Sequence, residues 1–246
     1  MPERYRSGRG PVAPAAGGTI DAMDGPPELL DAARDAVAAV LADPRHTGNG
    51  RRIIVGLAGP PAAGKSTLAT ALAAALCEEP PRGLGDGGAV AVPMDGFHLS
   101  NVELERLGLT DRKGAPETFD AAGFVHLLSR IHDGRELVYA PAYSRVLHES
   151  IGGVIPVLPD VRVVVVEGNY LLVPTGSWAG VRARLDLAIY VEAPQPARID
   201  SLLRRQRSRG LDEERAHDWV HRSDEANARL IDQTRPYADL VLSRTS

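Results

Sequence analysis

Gly59-Pro60-Pro61-Ala62-Ala63-Gly64-Lys65-Ser66 is the stretch on which the reading of this chain turns. It fits the pattern G-x-x-x-x-G-K-[ST]. The two glycines let the backbone turn its N–H groups inward around a phosphate. Arg52 to Ala58, just before it, reads as a short buried strand. Ser66 to Cys77, just after it, reads as an alanine- and leucine-rich helix. A helix that starts at the loop aims its positive end at the same phosphate. In this pattern the lysine reaches the β- and γ-phosphates and the serine hydroxyl ligates Mg2+. Gly59, Pro60, Ala62, Ala63, Gly64, Lys65, Ser66 and Thr67 are therefore the candidate nucleotide-binding residues. A glycine-rich turn that binds nothing is the competing reading.

Outward from the loop, short apolar runs alternate with helical patterns. Leu29, Leu30, Ala33, Val37, Val40 and Leu41 recur at helical spacing between Pro27 and Asp43. Ala89 to Met94 reads as a second strand. Residues 98–119 read as a short helix and a loop. Asp120 caps a helix that runs to about His132. Tyr139 to Ile155 reads as irregular or extended. Val161 to Val166 is a near-continuous valine run, the pattern of a parallel strand buried on both faces. Leu185 to Val191 and Ala238 to Leu242 repeat it. Residues 195–233 form a highly charged helical region broken at Gly210. Strands alternating with helices predict an α/β fold with a parallel five-stranded sheet flanked by helices. Residues 1–25, rich in Gly, Pro, Ala and Arg, read as a disordered leader, and 26–246 as one domain.

Composition narrows the function. The chain has 246 residues, 43% hydrophobic and 24% charged, with net charge −4. No broad basic field argues for nucleic acid. No apolar stretch approaches the ~18 residues of a bilayer span. Cys77 is the lone cysteine, which excludes a disulfide framework, and it reads as a small buried side chain on a helix. The default is a reducing, cytoplasmic compartment. Lysine and arginine together number 28, and only Lys65 and Lys113 are lysines. A lysine kept against such a bias points to a need for a compact, flexible charge.

Two carboxylates end apolar strands. Asp95 follows the second strand in Met94-Asp-Gly-Phe-His98, and Glu167 follows the valine run in Val166-Glu-Gly-Asn-Tyr170. In open α/β sheets the site lies beyond the carboxyl ends of the strands. A carboxylate there accepts a proton from a substrate hydroxyl, or orients Mg2+ with the loop serine. The second reading is a turn aspartate before Gly96 and a solvent-facing strand-end glutamate. His98 reads equally as a substrate ligand and as a loop histidine with local structural work. His217 and His221 stand at i, i+4, a spacing that can seat zinc, but no third ligand accompanies them, and an exposed helix face is the better reading.

Taken in order, Gly56 to Thr67, Asp95-Gly-Phe-His98, Arg112 to Asp120, Pro141-Ala-Tyr-Ser-Arg145, Glu167 to Leu172 and Asn227 to Asp239 resemble the uridine kinase, phosphoribulokinase and bacterial pantothenate kinase superfamily. The likeness covers about residues 28–243 and lies nearest the bacterial uridine-kinase-like branch. It implies a P-loop NTPase fold with an arginine-rich helical lid. It also implies transfer of phosphate from ATP, with Mg2+, to a hydroxyl of a small metabolite: a nucleoside, a sugar or a pantothenate-like compound. Asp95 matches the catalytic-base position. Lys113, Tyr143, Arg145 and, with His98, Asn169 fall among substrate-side residues. Arg204, Arg205, Arg207 and Arg209 lie where such kinases carry the lid, with Arg205 and Arg209 as the catalytic candidates beside Lys65. Ser66 and Glu167 would hold the metal. Asp-Gly-Phe is nearer to pantothenate kinase than to uridine kinase, which leaves the acceptor open.

Charge and hydropathy predict no nucleic-acid or membrane partner, and a homodimer is compatible with the sequence, which does not set the oligomeric state. Two other classes compete with a kinase. One is a regulatory switch that hydrolyses nucleotide, although no Asn-Lys-x-Asp motif is present. The other is an ATP-binding pseudo-kinase, which the full set of Lys65, Ser66, Asp95 and Glu167 disfavours.

Overall fold

The computed structural model describes residues 27–46, 51–134 and 136–244. The leader expected over 1–25 lies outside these residues. The centre is a five-stranded sheet in the order β2-β5-β1-β6-β7, with every pairing parallel. The strands are β1 (Ile53–Ala58), β2 (Ala89–Pro93), β5 (Val163–Glu167), β6 (Leu187–Glu192) and β7 (Leu240–Ser243). The valine run does what its composition predicts. Val163 and Val165 join the layer containing Val37, Leu41, Leu72 and Leu76, from α1 (Pro27–Ala42) and α2 (Lys65–Glu78). Val164 and Val166 join the opposite layer, with Phe124, Leu128 and Ile131 of α4 (Ala121–Asp133). Alternate side chains of a strand point to opposite faces, so a strand between two helical layers must be apolar throughout. Each such fully buried valine contributes about 1.5–3 kcal/mol.

Helix caps follow from local chemistry. The Asp120 carboxylate accepts from Gly123 N at 2.8 Å, and the Ser100 hydroxyl accepts from Glu103 N to start α3 (Asn101–Leu107). Arg52, at the end of the sheet opposite the loop, is 1% exposed. It donates to the carbonyls of Ile131 and Leu158 at 3.0 and 2.8 Å. A buried guanidinium with no ion pair among the described residues is thus satisfied by backbone oxygens, with the Asp160 charge nearby.

Two expectations are sharpened, and the one for Cys77 is corrected. Tyr139 to Ile155 is a hairpin, β3 (Val138–Ser144) and β4 (Glu149–Val157), paired antiparallel with a register shift between Ala140 and Ala142. Pro141, Pro156 and the Gly152-Gly153 pair hide it, because none favours a strand interior. The stretch 195–233 is three helices, α6 (Gln195–Ser208), α7 (Glu213–Trp219) and α8 (Glu225–Asp232), with a π-helical turn at Val220–Asp224. Gly210 separates α6 from α7 at φ +89°. Cys77 is exposed, its sulfur set against the backbone N–H and C=O of Ala89. The remaining short helix is α5 (Ala179–Arg182). Among the described residues no helix is long and apolar enough to cross a membrane.

Candidate active site

The loop leaves β1 at the middle of the sheet, where the chain has crossed to β2 on one side and later returns to β6 on the other. That change of direction opens a crevice at the carboxyl ends of the strands. Gly59 sits at φ +147°, and the Val191 carbonyl oxygen lies 2.1 Å from where a Cβ would stand. Only glycine lets β6 close on the loop there. Gly64, at φ +94°, precedes α2, and Leu68 N donates to its carbonyl at 3.0 Å. Ala62 also takes a left-handed conformation, at φ +62°. These turns lead into the first turn of α2, where helix amides lack an intrahelical acceptor and can cradle an anion.

Lys65 is buried, and its Nζ donates to the Pro60 carbonyl at 2.9 Å. Burial pulls its ammonium down to about 8, while the charges of Glu167 and Asp95 hold it up. The Ser66 hydroxyl donates to Glu167 Oε1 at 2.9 Å, joining residues 101 positions apart. Glu167 is 7% exposed. Burial and the neighbouring Asp95 charge push its carboxyl above the usual range, and Lys65 opposes them. Asp95 stands on a short 3-10 turn, Met94–Phe97, directly after β2, whose Pro93 pairs with Glu167 of β5. The strand register therefore brings Asp95, Glu167, Ser66 and Lys65 to one place.

Other candidates surround this centre. His98 Nδ1 donates to the Asp95 carbonyl at 2.9 Å, which fixes that nitrogen as the protonated one. Its ring packs between Phe119 and Tyr143, with centroids at 3.9 and 4.8 Å. Burial holds the imidazole below its ordinary pKa, so it is neutral near pH 7. Asn169 is half-buried, two residues beyond Glu167. Lys113 is engaged with the scaffold. Its Nζ donates to Asn101 Oδ1 at 2.5 Å and the His148 carbonyl at 2.8 Å, and lies 5.3 Å from the Tyr143 ring centroid. It ties the segment after α3 to the hairpin.

The four arginines near the end of α6 divide. Arg204 pairs with Asp200 and Arg207 with Glu213, both on the outer surface. Arg205 and Arg209 line a cavity of about 240 Å³ with Arg145, His148 and Ser208. The Arg205 charge bears on Lys65 and His98, and the Arg145 charge on Glu167. The larger groove, about 660 Å³, lies against α1 and the end of α2 and contains none of the motif residues. Among the described residues no three potential metal ligands of the His, Cys, Asp and Glu type cluster; His217 and His221 stack with centroids 4.2 Å apart on an exposed face.

Buried contacts that the sequence does not mark hold the loop and the charged helices together. Arg198 of α6 pairs with Glu225 of α8 at 3.0 Å, both nearly fully buried, and donates to the Pro61 carbonyl at 3.3 Å. This fixes the charged helices to the loop. Tyr170 OH and Asn227 Nδ2 both donate to the Gly114 carbonyl, at 2.5 and 3.3 Å. In a segment that is charged throughout, no periodicity marks which charge is buried.

Comparison with known proteins agrees with this geometry. The model of the Phosphoribulokinase / Uridine kinase family matches residues 54–246. A candidate uridine kinase of Schizosaccharomyces pombe is 34% identical over 203 residues, covering 79% of this chain and 84% of that one. A pantothenate kinase of Clavibacter sepedonicus is 36% identical over 144 residues, covering 57% of this chain and 43% of that protein. Among solved structures, a candidate fructose transport system kinase of Silicibacter sp. TM1040 superposes with TM-score 0.77 at 40% identity, over 87% of this chain and 98% of its own.

Proposed function

Since the chain belongs to the phosphoribulokinase/uridine kinase family and is a small-molecule kinase with an alcohol acceptor, we propose that it transfers the γ-phosphoryl of ATP with Asp95 as the general base. The observation that carries this is the part-buried Ser66–Glu167 hydrogen bond at the head of the loop, with the Asp95 charge acting on both Lys65 and Glu167.

The cradle of residues 59–67 takes the phosphates. Lys65 releases the Pro60 carbonyl and turns to them, a change that returns its ammonium to solvent-like stabilisation by anionic oxygens. Ser66 and Glu167 would supply the hard oxygen ligands that Mg2+ prefers, and their 2.9 Å contact supports that pairing. Mg2+ bound there would neutralise charge on the phosphate oxygens. Asp95 accepts the proton of the acceptor hydroxyl. His98, held neutral against the Asp95 carbonyl, and Asn169 offer hydrogen bonds to the acceptor, and Tyr143 a ring face and hydroxyl. Arg205 and Arg209, at the end of α6, stabilise negative charge on the moving phosphoryl and act as the lid. Catalysis on this reading is positioning and charge neutralisation.

The test is product formation from Mg2+-ATP with a panel of hydroxyl compounds, followed by mass spectrometry. A kinase consumes ATP in proportion to phosphorylated product, whereas a nucleotide switch hydrolyses it without an acceptor. Asp95→Asn keeps ATP binding and lowers turnover at least about 10²-fold, as loss of a positioned base requires. Near-normal turnover would remove Asp95 from the role.

A further inference from the structure

Gln206 is a neutral polar side chain buried in the most charged part of the chain, 3% exposed between Arg205 and Arg207. Its amide has two partners. Nε2 donates to Asp224 Oδ2 at 3.4 Å, and Oε1 accepts from Arg209 Nη1 at 3.3 Å. Its backbone carbonyl accepts from the N–H groups of Arg209 and Leu211, at 3.1 and 3.3 Å. Gln206 thus holds Arg209 by main chain and side chain together. Asp224 ends the π-helical turn Val220–Asp224, a wide turn of a kind frequent at functional sites. Its charge bears on both Arg205 and Arg209.

Arg209 needs such a support. It caps α6 past the last regular turn, with Gly210 at φ +89° after it, so the helix itself does not set its direction. An amide suits the place between a guanidinium and a carboxylate, because it accepts at one atom and donates at another. Reversed, it would set NH2 against Arg209 and oxygen against Asp224. Asp224 therefore fixes which end of the amide faces Arg209. The other end of α6 is tied through the next residue. Glu225 accepts from Gln195 at 2.7 Å and pairs with Arg198 at 3.0 Å, and Arg198 donates to the Pro61 carbonyl of the loop. Adjacent carboxylates thus reach the phosphate loop through one end of α6 and Arg209 through the other. Both contacts of the Gln206 amide are long for hydrogen bonds. They aim the guanidinium without locking it, as a lid side chain that moves onto the phosphoryl requires.

From this arrangement we infer that Gln206 and Asp224 are positioning residues for the transfer: Asp224 orients the Gln206 amide, and the amide holds the Arg209 guanidinium ready for the moving phosphoryl. Neither touches the reacting atoms. This rests on the lid reading of Arg209 above and deepens it.

The experiment is a double-mutant cycle on the full-length protein, with Mg2+-ATP and the panel of hydroxyl compounds as probe. Gln206→Met keeps the side chain's length and removes both amide contacts. Asp224→Asn keeps the shape and an acceptor for Gln206 but lets the facing amides reverse, so it serves if a melting scan shows that Gln206→Met does not fold. Each should lower product formation at saturating ATP about 5- to 20-fold and leave KM for ATP within about 2-fold. Arg209→Ala should lower it about 10- to 100-fold. In the Arg209→Ala background, Gln206→Met and Asp224→Asn should each cost less than about 2-fold more, because a residue that acts through Arg209 has nothing left to position. Equal slowing in both backgrounds means a merely structural role and overturns the inference, as does unchanged turnover in the single variants. Both results leave the kinase standing. Arg209→Ala with the parent's turnover overturns the lid reading of Arg209 and this inference together. ATP loss with no phosphorylated product in the parent overturns the kinase reading and, with it, this inference.

Discussion

The two halves of the site are built differently. The phosphate half consists of β1, the loop and α2, with Glu167 at the end of the all-valine β5. Its backbone is buried, and its residues are close in sequence or fixed by parallel register. The acceptor half consists of a two-stranded hairpin, the loop around Lys113 and the end of α6. It is half-exposed and polar, and held by contacts such as Lys113 to Asn101 and Tyr170 to Gly114. The first half performs what every nucleotide-dependent transfer needs. On the proposed reading the second selects what receives the phosphate, and a surface assembled from loops can change without disturbing the sheet.

The largest effect that would test this division is loss of Lys65. Lys65→Ala should lower turnover at least about 10³-fold and weaken ATP binding, because a preorganised charge at the phosphates is removed. A melting temperature at or above that of the parent should accompany it, since a buried ammonium is lost. Residual transfer above a tenth would mean that the phosphate half lies elsewhere.

Next in size is the contrast along α6. Arg205→Ala should cost about 10- to 100-fold in turnover. Arg204→Ala, which removes a surface pair with Asp200, should change activity less than about 2-fold and stability by under about 1 kcal/mol. Steady-state kinetics on the two variants side by side decides whether the inward-facing arginine is the one that acts.

The smallest effect is a pH dependence. In the ligand-free protein the Lys65 ammonium is held at about 8 against an ordinary 10.5. Between those values the unfolded chain binds the proton that the folded chain has lost, so this group makes folding stability rise with pH there. Over the same interval the free protein loses the charge that meets phosphate, so ATP affinity should fall as pH passes about 8. Binding titrations and urea midpoints across pH 7–10 check both slopes. Lys65→Met should flatten both; slopes that persist in that variant would assign the titration to another group.

The phosphate half and the sheet could be read from residue order because their physics is local. A glycine-rich loop between a strand and a helix needs the residues of 59–66 in that sequence, and a strand between two helical layers needs an apolar run such as 163–166. The hairpin was obscured by prolines and glycines that its exposed ribbon tolerates. The Arg198–Glu225 pair was obscured because a buried charge looks the same in sequence as a solvated one. The chain by itself determined a phosphate-binding loop in a parallel α/β sheet and two carboxylates at strand ends. Tertiary structure alone decided that Glu167 meets Ser66, and that Arg205 and Arg209 line one cavity with Arg145 while Arg204 and Arg207 pair with surface carboxylates. Sequence records the spacing of residues along one element, whereas the direction of a charged side chain depends on which other elements close around it.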